Sequence, residues 1–112
     1  MSDLKYSDFL KVDIRVGTVL RAKENNNLKK PSIILEIDFG QQIGIKKSSA
    51  QLQSNYNSFQ LLHKQIVAVV NFPPKQIGNL ISEVLVLGFP DNNNETTLIS
   101  PDLKIKNGVR LF

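Results

Sequence analysis

The chain has 112 residues, with 14 Lys and Arg against 10 Asp and Glu, so its formal net charge is +4. Apolar residues make up 41% and charged residues 21%, which is typical of one folded domain and not of a disordered chain. Because there is no Cys, disulfides, thiolate nucleophiles and cysteine-ligated metals are excluded. Because His63 is the only histidine, a two-histidine metal site is excluded as well.

The N-terminus lacks the apolar core of a signal peptide. The longest strongly apolar run, residues 66–70, is far shorter than the ~20 residues of a membrane helix. We therefore expect a cytoplasmic protein with no membrane insertion. Two Asn triplets, residues 25–27 and 92–94, stand between apolar segments and predict polar loop tips.

Apolar residues at alternate positions predict a first strand over residues 12–21. Gly17 in the middle of this strand predicts a bend or bulge, which would let one strand serve both sides of a small barrel. The same alternation predicts a second strand over residues 33–39. A short turn at residues 40–42 then leads into a third strand over residues 43–47, completing a hairpin.

The alternation stops between residues 48 and 65, where serine and asparagine caps predict one or two short helical turns. Residues 66–70 have no polar face and predict a central strand covered on both sides. The two prolines that follow end this strand, because proline has no N–H to donate to a ladder. Further strands are predicted over residues 84–89 and 96–99.

Five or six strands, a short helix between the third and fourth, and a bent first strand are the order of elements in an OB-fold five-stranded barrel. Periodicity alone leaves an SH3-like barrel open. We predict one all-β domain over residues 1–112, with a core of about residues 12–90. The remaining residues, 1–11 and 91–112, are N- and C-terminal extensions.

Six segments carry a resemblance to a known family. They are DIRVG (13–17), KP (30–31), IDFG (37–40), KSSAQ (47–51), VVNFPPKQI (69–77) and SEVLVLG (82–88). In this order and spacing the chain resembles the tRNA-binding-domain superfamily and, within it, most of all the CsaA-type, export-related chaperones. The resemblance extends from about residue 9 to residue 112.

The resemblance implies an OB fold, a homodimer built from the terminal extensions, and binding instead of catalysis. CsaA-type members are described as holding unfolded precursor polypeptides before export, and the shared domain implies an affinity for tRNA. This chain departs from the family after Pro31, where an aromatic and a basic residue are replaced by Ile33 and Ile34. The missing basic residue favours a peptide ligand over a nucleic acid.

We therefore predict a homodimeric binding protein that holds unfolded or precursor polypeptides in a groove, without ATP, cofactor, metal or catalysis. Phe72 is the candidate exposed aromatic platform, and Glu83 at the groove mouth would repel phosphate and suit basic segments. The polar groups beside them would hydrogen-bond the ligand backbone. The predicted peptide-binding residues are Ser48, Ser49, Gln51, Asn71, Phe72, Ser82 and Glu83.

The alternative function is a stand-alone tRNA-binding protein that neutralises phosphates with the basic face of its OB fold. The predicted RNA-binding residues are Lys29, Lys30, Lys46, Lys47 and Lys75. Two other aromatic residues, Phe39 and Phe89, are expected to pack in the core.

Apolar residues in the terminal segments need cover, and a second copy of the chain is the simplest source of it. The predicted dimer-interface residues are Leu4, Phe9, Ile105, Val109, Leu111 and Phe112.

Near the N-terminus, Asp13 and Arg15 are two residues apart on one strand face and predict a solvated ion pair, which would contribute at most about 1 kcal/mol.

Overall fold

The computed structural model describes residues 2–26 and 29–112. The elements in chain order are α1 (Tyr6–Phe9), β1 (Ile14–Asn25), β2 (Ser32–Asp38), α2 (Gly40–Ile43), β3 (Ile45–Ala50), α3 (Ser58–Leu61), β4 (Gln65–Val69), β5 (Lys75–Ile77), β6 (Leu80–Ser82), β7 (Leu85–Val86), β8 (Gly88–Pro90) and β9 (Thr96–Leu98). Five strands form one antiparallel sheet in the order β3-β2-β1-β4-β7. The pairs β5–β6 and β8–β9 are separate hairpins. The predicted, mostly β architecture is confirmed.

Strand β1 curls the sheet because its two halves have different partners. The first half, as far as Thr18, pairs with β4, and the second half pairs with β2. This double use of the first strand agrees with the sequence prediction. The register shift lies at Leu20 instead of at Gly17, so the predicted position of the bulge is wrong.

Gly17 serves packing and not a bulge. It keeps regular register opposite Ile66 of β4. A Cβ at this position would stand 2.6 Å from Ile37 Cγ2 and 2.8 Å from Phe39 Cδ1, and both of these side chains are fully buried. The glycine therefore lets the sheet close tightly over its own core.

The core lies inside the curled sheet and is filled mainly by β2, β4 and α3. Its fully buried apolar residues are Val19, Ile33, Leu35, Ile37, Phe39, Leu61, Ile66 and Ala68. Burial of Phe39 was expected from the sequence and is confirmed. Phe89 is 65% exposed on β8, so its predicted place in the core is wrong: the β8–β9 hairpin carries it away from the sheet.

The segment from residue 40 to residue 65 differs from its prediction in two places. The expected turn at residues 40–42 is a short helix, α2. The expected helical turn beginning at Ser48 is wrong, because Ser48, Ser49 and Ala50 continue β3 in register with β2. A helical turn does form later, where Asn57 caps α3 in a reciprocal capping box with Gln60.

The chain after β4 is more broken than its sequence predicts. The expected strand over residues 84–89 is two short strands, β7 on the main sheet and β8 on the hairpin with β9. The β5–β6 hairpin was not predicted, because two prolines precede it and each strand has only three residues. Asn92 and Asn93 lie in the β8–β9 turn, as predicted, where Asp91 accepts the Asn93 N–H. Asn27 lies outside the described residues.

The C-terminal segment is tied to the outer edge of β1. The N–H groups of Gly108 and Leu111 donate to the carbonyls of Val16 and Ile14, at 2.8 Å each.

Among residues 2–26 and 29–112, no helix is long and apolar enough to cross a membrane.

Asp13 joins the C-terminal segment to the N-terminal half through two arginines. Its carboxylate receives Arg15 Nε at 2.6 Å and lies 3.5 Å from Arg110 Nε, while Arg15 also donates to the Gly108 carbonyl. Because the side chains of Asp13 and Arg15 are only 22% and 16% exposed, the predicted solvated pair is wrong. The hydrogen bond from Arg15 lowers the pKa of Asp13 below its usual value.

We expect Asp13→Asn to lower the free energy of unfolding by about 2 kcal/mol at pH 7, because Arg15 loses its charged partner. The pKa of Asp13 is lowered on folding, so its stabilisation is full above the ordinary carboxyl value of 3.8. It is lost as the pH falls through the lower folded value. Urea denaturation at neutral and acid pH measures both effects.

Asp8→Asn is the matched control, since Asp8 forms an exposed ion pair with Lys11 at 3.3 Å. This control should unfold like the wild type at every pH. Equal stability of the Asp13 variant and the wild type at pH 7 would contradict the role assigned to Asp13.

Candidate binding groove

A groove of about 510 Å³ opens between β3, the loop after β4 and the β5–β6 hairpin. Its floor consists of Leu52 and Val84, which are buried. Its walls carry Phe72 and Leu85, which are 54% and 50% exposed, together with the half-buried Ile77. A cleft that is open to solvent and has large apolar side chains on its walls is suited to covering apolar groups of a ligand.

The structure brings six of the seven predicted peptide-binding residues to this groove. Ser48 and Ser49 line it from β3, and Gln51 lines it from just after that strand. Phe72 lines it from the loop after β4, Ser82 from the end of β6, and Glu83 from the residue that follows β6. Asn71 does not line the groove. Its side chain donates to the Lys11 carbonyl at 2.7 Å and accepts the Asp13 N–H at 3.0 Å, so it holds the N-terminal segment.

The edge of β3 beside the groove is closed by side chains. The N–H of Lys47 donates to Glu83 Oε1 at 3.0 Å, and the Glu83 N–H donates back to the Lys47 carbonyl at 2.8 Å. Two residues further on, the Ser49 N–H donates to Ser82 Oγ at 3.1 Å. Ser82 and Glu83 therefore take the place of a neighbouring strand, and a ligand cannot pair with this edge without displacing them.

The serine hydroxyls of the groove already have partners within the chain. Ser48 Oγ donates to the Val84 carbonyl at 3.2 Å, and Ser49 Oγ lies 3.1 Å from Ser32 Oγ. Ser82 Oγ accepts from Ser49 and lies 3.4 Å from the Val84 carbonyl. The exposed side chain of Gln51 has no hydrogen-bond partner within the described part of the chain. These hydroxyls therefore stabilise the groove walls, and the large apolar side chains offer most of the surface to a ligand.

The predicted RNA-binding lysines come from three parts of the chain. Lys29 and Lys30 lie in the exposed bend before β2, whereas Lys75 lies at the groove. Lys46 Nζ is 3.9 Å from Glu83 Oε2. Lys47 pairs in register with Glu36, whose carboxylate is 3.6 Å from Arg21 Nε.

Most of the predicted dimer-interface residues are exposed. Leu4, Ile105, Val109, Leu111 and Phe112 all present apolar surface, and Phe9 is half-buried. A cavity of about 320 Å³ between β1, β4 and the C-terminal segment is lined by four of these six residues: Ile105, Val109, Leu111 and Phe112. A smaller cavity of about 140 Å³ lies between α1 and the C-terminus. The sequence signal for them was apolar character in segments outside the strands.

A larger cavity, about 750 Å³, lies between α2 and residues 106–109. It is shaped by close backbone contact: a Cβ on Gly40 would stand 2.7 Å from the Asn107 carbonyl oxygen. Its lining carries one exposed large apolar side chain, Val109, against two, Phe72 and Leu85, in the groove. Within residues 2–26 and 29–112, no three His, Asp or Glu side chains come together as a metal site.

Comparison with known proteins places this geometry in a family. Residues 14–110 match the model of the putative tRNA-binding domain. The methionine–tRNA ligase of Pyrococcus horikoshii is 31% identical over 111 residues, but the chain spans only about 15% of the length of that ligase.

Two solved structures cover the whole chain. The chaperone CsaA of Bacillus anthracis is 45% identical, with a TM-score of 0.91 over 99% of this chain and 100% of that one. The CsaA chaperone protein of Picrophilus torridus is also 45% identical, with a TM-score of 0.90 over 98% of this chain and 100% of that one. These structures confirm the predicted OB-like fold. The chain belongs to the putative tRNA-binding domain family, within which it is similar to the CsaA chaperones.

Proposed function

We propose that this protein is a homodimeric chaperone that holds unfolded or precursor polypeptides in its groove without ATP. The observation that carries the proposal is the pair of half-exposed side chains, Phe72 and Leu85, above the buried floor of Leu52 and Val84. When a ligand covers water-exposed apolar surface inside a cleft, the free energy of the complex is lowered. The similarity to two CsaA chaperones over the full chain supports the same function.

In this proposal the ligand is held mainly by its side chains. The outer N–H groups of Lys47 and Ser49 and the serine hydroxyls are already hydrogen-bonded within the chain. An extended segment therefore contributes apolar side chains, with Gln51 available for its backbone. Each such contact is weak, so release needs no nucleotide, and two grooves on a dimer would raise the avidity for a long chain.

We expect Phe72→Ser and Leu85→Ser each to weaken the binding of an unfolded polypeptide by roughly five- to tenfold, because each removes about 1 kcal/mol of apolar contact. Fluorescence anisotropy with a labelled, permanently unfolded polypeptide measures this effect. Suppression of aggregation by equimolar protein should also fall in both variants.

Phe89→Ser is the matched control, because Phe89 is a similarly exposed aromatic residue that does not line the groove. This control should bind like the wild type. Equal loss in the Phe89 variant, or no loss in either groove variant, would count against the groove as the binding site.

The homodimer in this proposal uses the exposed terminal residues. We expect Leu111→Asp combined with Phe112→Asp to shift the protein to a monomer, because two charges would be buried in the interface. Sedimentation velocity over a range of concentrations measures this shift. Phe59→Asp, an 83% exposed position on α3, is the control and should leave the oligomeric state unchanged. A double variant that sediments like the wild type would show that these residues are not at the interface.

The second candidate function is tRNA binding through Lys29, Lys30, Lys46, Lys47 and Lys75. It is supported by the family model and by the similarity to a domain of a methionine–tRNA ligase. The carboxylate of Glu83 beside Lys46 and that of Glu36 opposite Lys47 weaken it, because a carboxylate repels phosphate.

Under this alternative, replacing Lys46, Lys47 and Lys75 by Gln should reduce the slope of log affinity for tRNA against log salt by ~0.7–0.9 for each lost phosphate contact. Binding of an uncharged apolar peptide should barely change in the same variant. A filter-binding series over several salt concentrations tests this, and an unchanged slope would exclude these lysines as the tRNA contacts.

A further inference from the structure

We propose that the groove prefers polypeptide segments in which a carboxylate lies beside an apolar residue, with Lys75 as the residue that binds the carboxylate. This inference rests on the proposed peptide-holding function and specifies the ligand of the same groove. It follows from the charges that line the groove, their partners, and the apolar walls between them.

Among the described residues, two charged ones line the groove, Glu83 and Lys75. The Glu83 carboxylate is already engaged, because Oε1 accepts the Lys47 N–H at 3.0 Å and Oε2 lies 3.9 Å from Lys46 Nζ. A ligand cation approaching Glu83 would have to compete with Lys46 and disturb the closure of the β3 edge. Glu83 is therefore a wall residue and a poor docking point for a basic segment.

Lys75 is in the opposite situation. It is exposed, and within residues 2–26 and 29–112 no carboxylate lies within 4 Å of its ammonium group. It stands opposite Ser82 in the β5–β6 hairpin, and Ser82 in turn contacts Ser49 of β3. Lys75 is thus the one cation at the groove that has no counter-charge in the described chain, and the unpaired charge that a ligand meets there is positive.

The apolar walls fix what must accompany the carboxylate. Phe72 lies three residues before Lys75, and both line the same groove as Leu85. An apolar ligand side chain covered by Phe72 and Leu85 brings its neighbouring residue to the mouth, where a carboxylate can reach Lys75. A ligand selected by Lys75 is therefore acidic, whereas Glu83 alone would favour a basic segment. The carboxylate can belong to Asp or Glu or to the C-terminus of the ligand.

The test uses labelled short peptides that share one apolar core, Leu-Phe-Leu, flanked by Glu, Gln or Lys and amidated at the C-terminus. A fourth peptide has Gln before the core only and ends at the last residue of the core with a free carboxylate. At low salt we expect the Glu peptide to bind roughly two- to fivefold more tightly than the Gln peptide, and the Lys peptide to bind less tightly than both. These differences should shrink as salt is added.

The same four peptides are then measured with Lys75→Gln, Lys75→Glu and the control Lys23→Gln, which removes an equal charge from an exposed position of β1 outside the groove. The preference for Glu should vanish in Lys75→Gln, reverse in Lys75→Glu and persist in Lys23→Gln. A preference shown by the free-carboxylate peptide alone, and lost with Lys75, also supports the inference and identifies the chain end as the carboxylate.

Equal affinity of the wild type for the Glu, Gln, Lys and free-carboxylate peptides would overturn the inference while leaving peptide holding intact. A preference that also disappears in Lys23→Gln would overturn it too, because net charge and not Lys75 would then be responsible. Failure of all four peptides to bind would instead remove the proposed function on which the inference rests.

Discussion

The closure of the β3 edge by Ser82 and Glu83 is the interaction on which the binding groove depends. Without it, the N–H groups of Lys47 and Ser49 would point to solvent from a free strand edge, which is a template for pairing with another chain. Three hydrogen bonds remove that template and hold Ser82 and Glu83 against β3. The apolar side chains of Phe72 and Leu85 stay open to solvent beside it. In the proposed function, a polypeptide would therefore meet side chains in the groove and not a free strand edge.

The regular part of the fold could be predicted because its sequence alternates with a clear period. The inward face of β2 follows from that pattern, and burial of β4 on both sides follows from its uninterrupted apolar run. The bulge at Leu20 could not be located, since the glycine that suggested one at residue 17 is required by the close approach of Ile37 and Phe39. Strands of two or three residues, such as β5 and β7, are too short to give a periodic signal.

Most residues of the groove could be predicted from the sequence, but the interactions that their side chains make could not. Family motifs brought Ser48, Ser49 and Ser82 to attention as hydrogen-bonding groups, and the structure uses their hydroxyls to fasten the walls. Leu85 was seen only as part of a strand, since no local pattern shows that its side chain opens into a cleft formed by distant segments. Pairing between residues 36 or more apart, such as Lys47 with Glu83, is likewise invisible to sequence periodicity.

In the proposed complex a polypeptide binds in the groove through its side chains while the β3 edge stays closed. Amide NMR of the labelled protein, with and without an apolar peptide, tests it most directly. We expect the shifts to concentrate at residues 48–52 and 72–86, and the hydrogen-exchange rates of the Lys47 and Ser49 amides to be no faster with peptide than without it. Shifts concentrated on the outer face of β1 and β2, or loss of protection at Lys47 and Ser49 on binding, would contradict it.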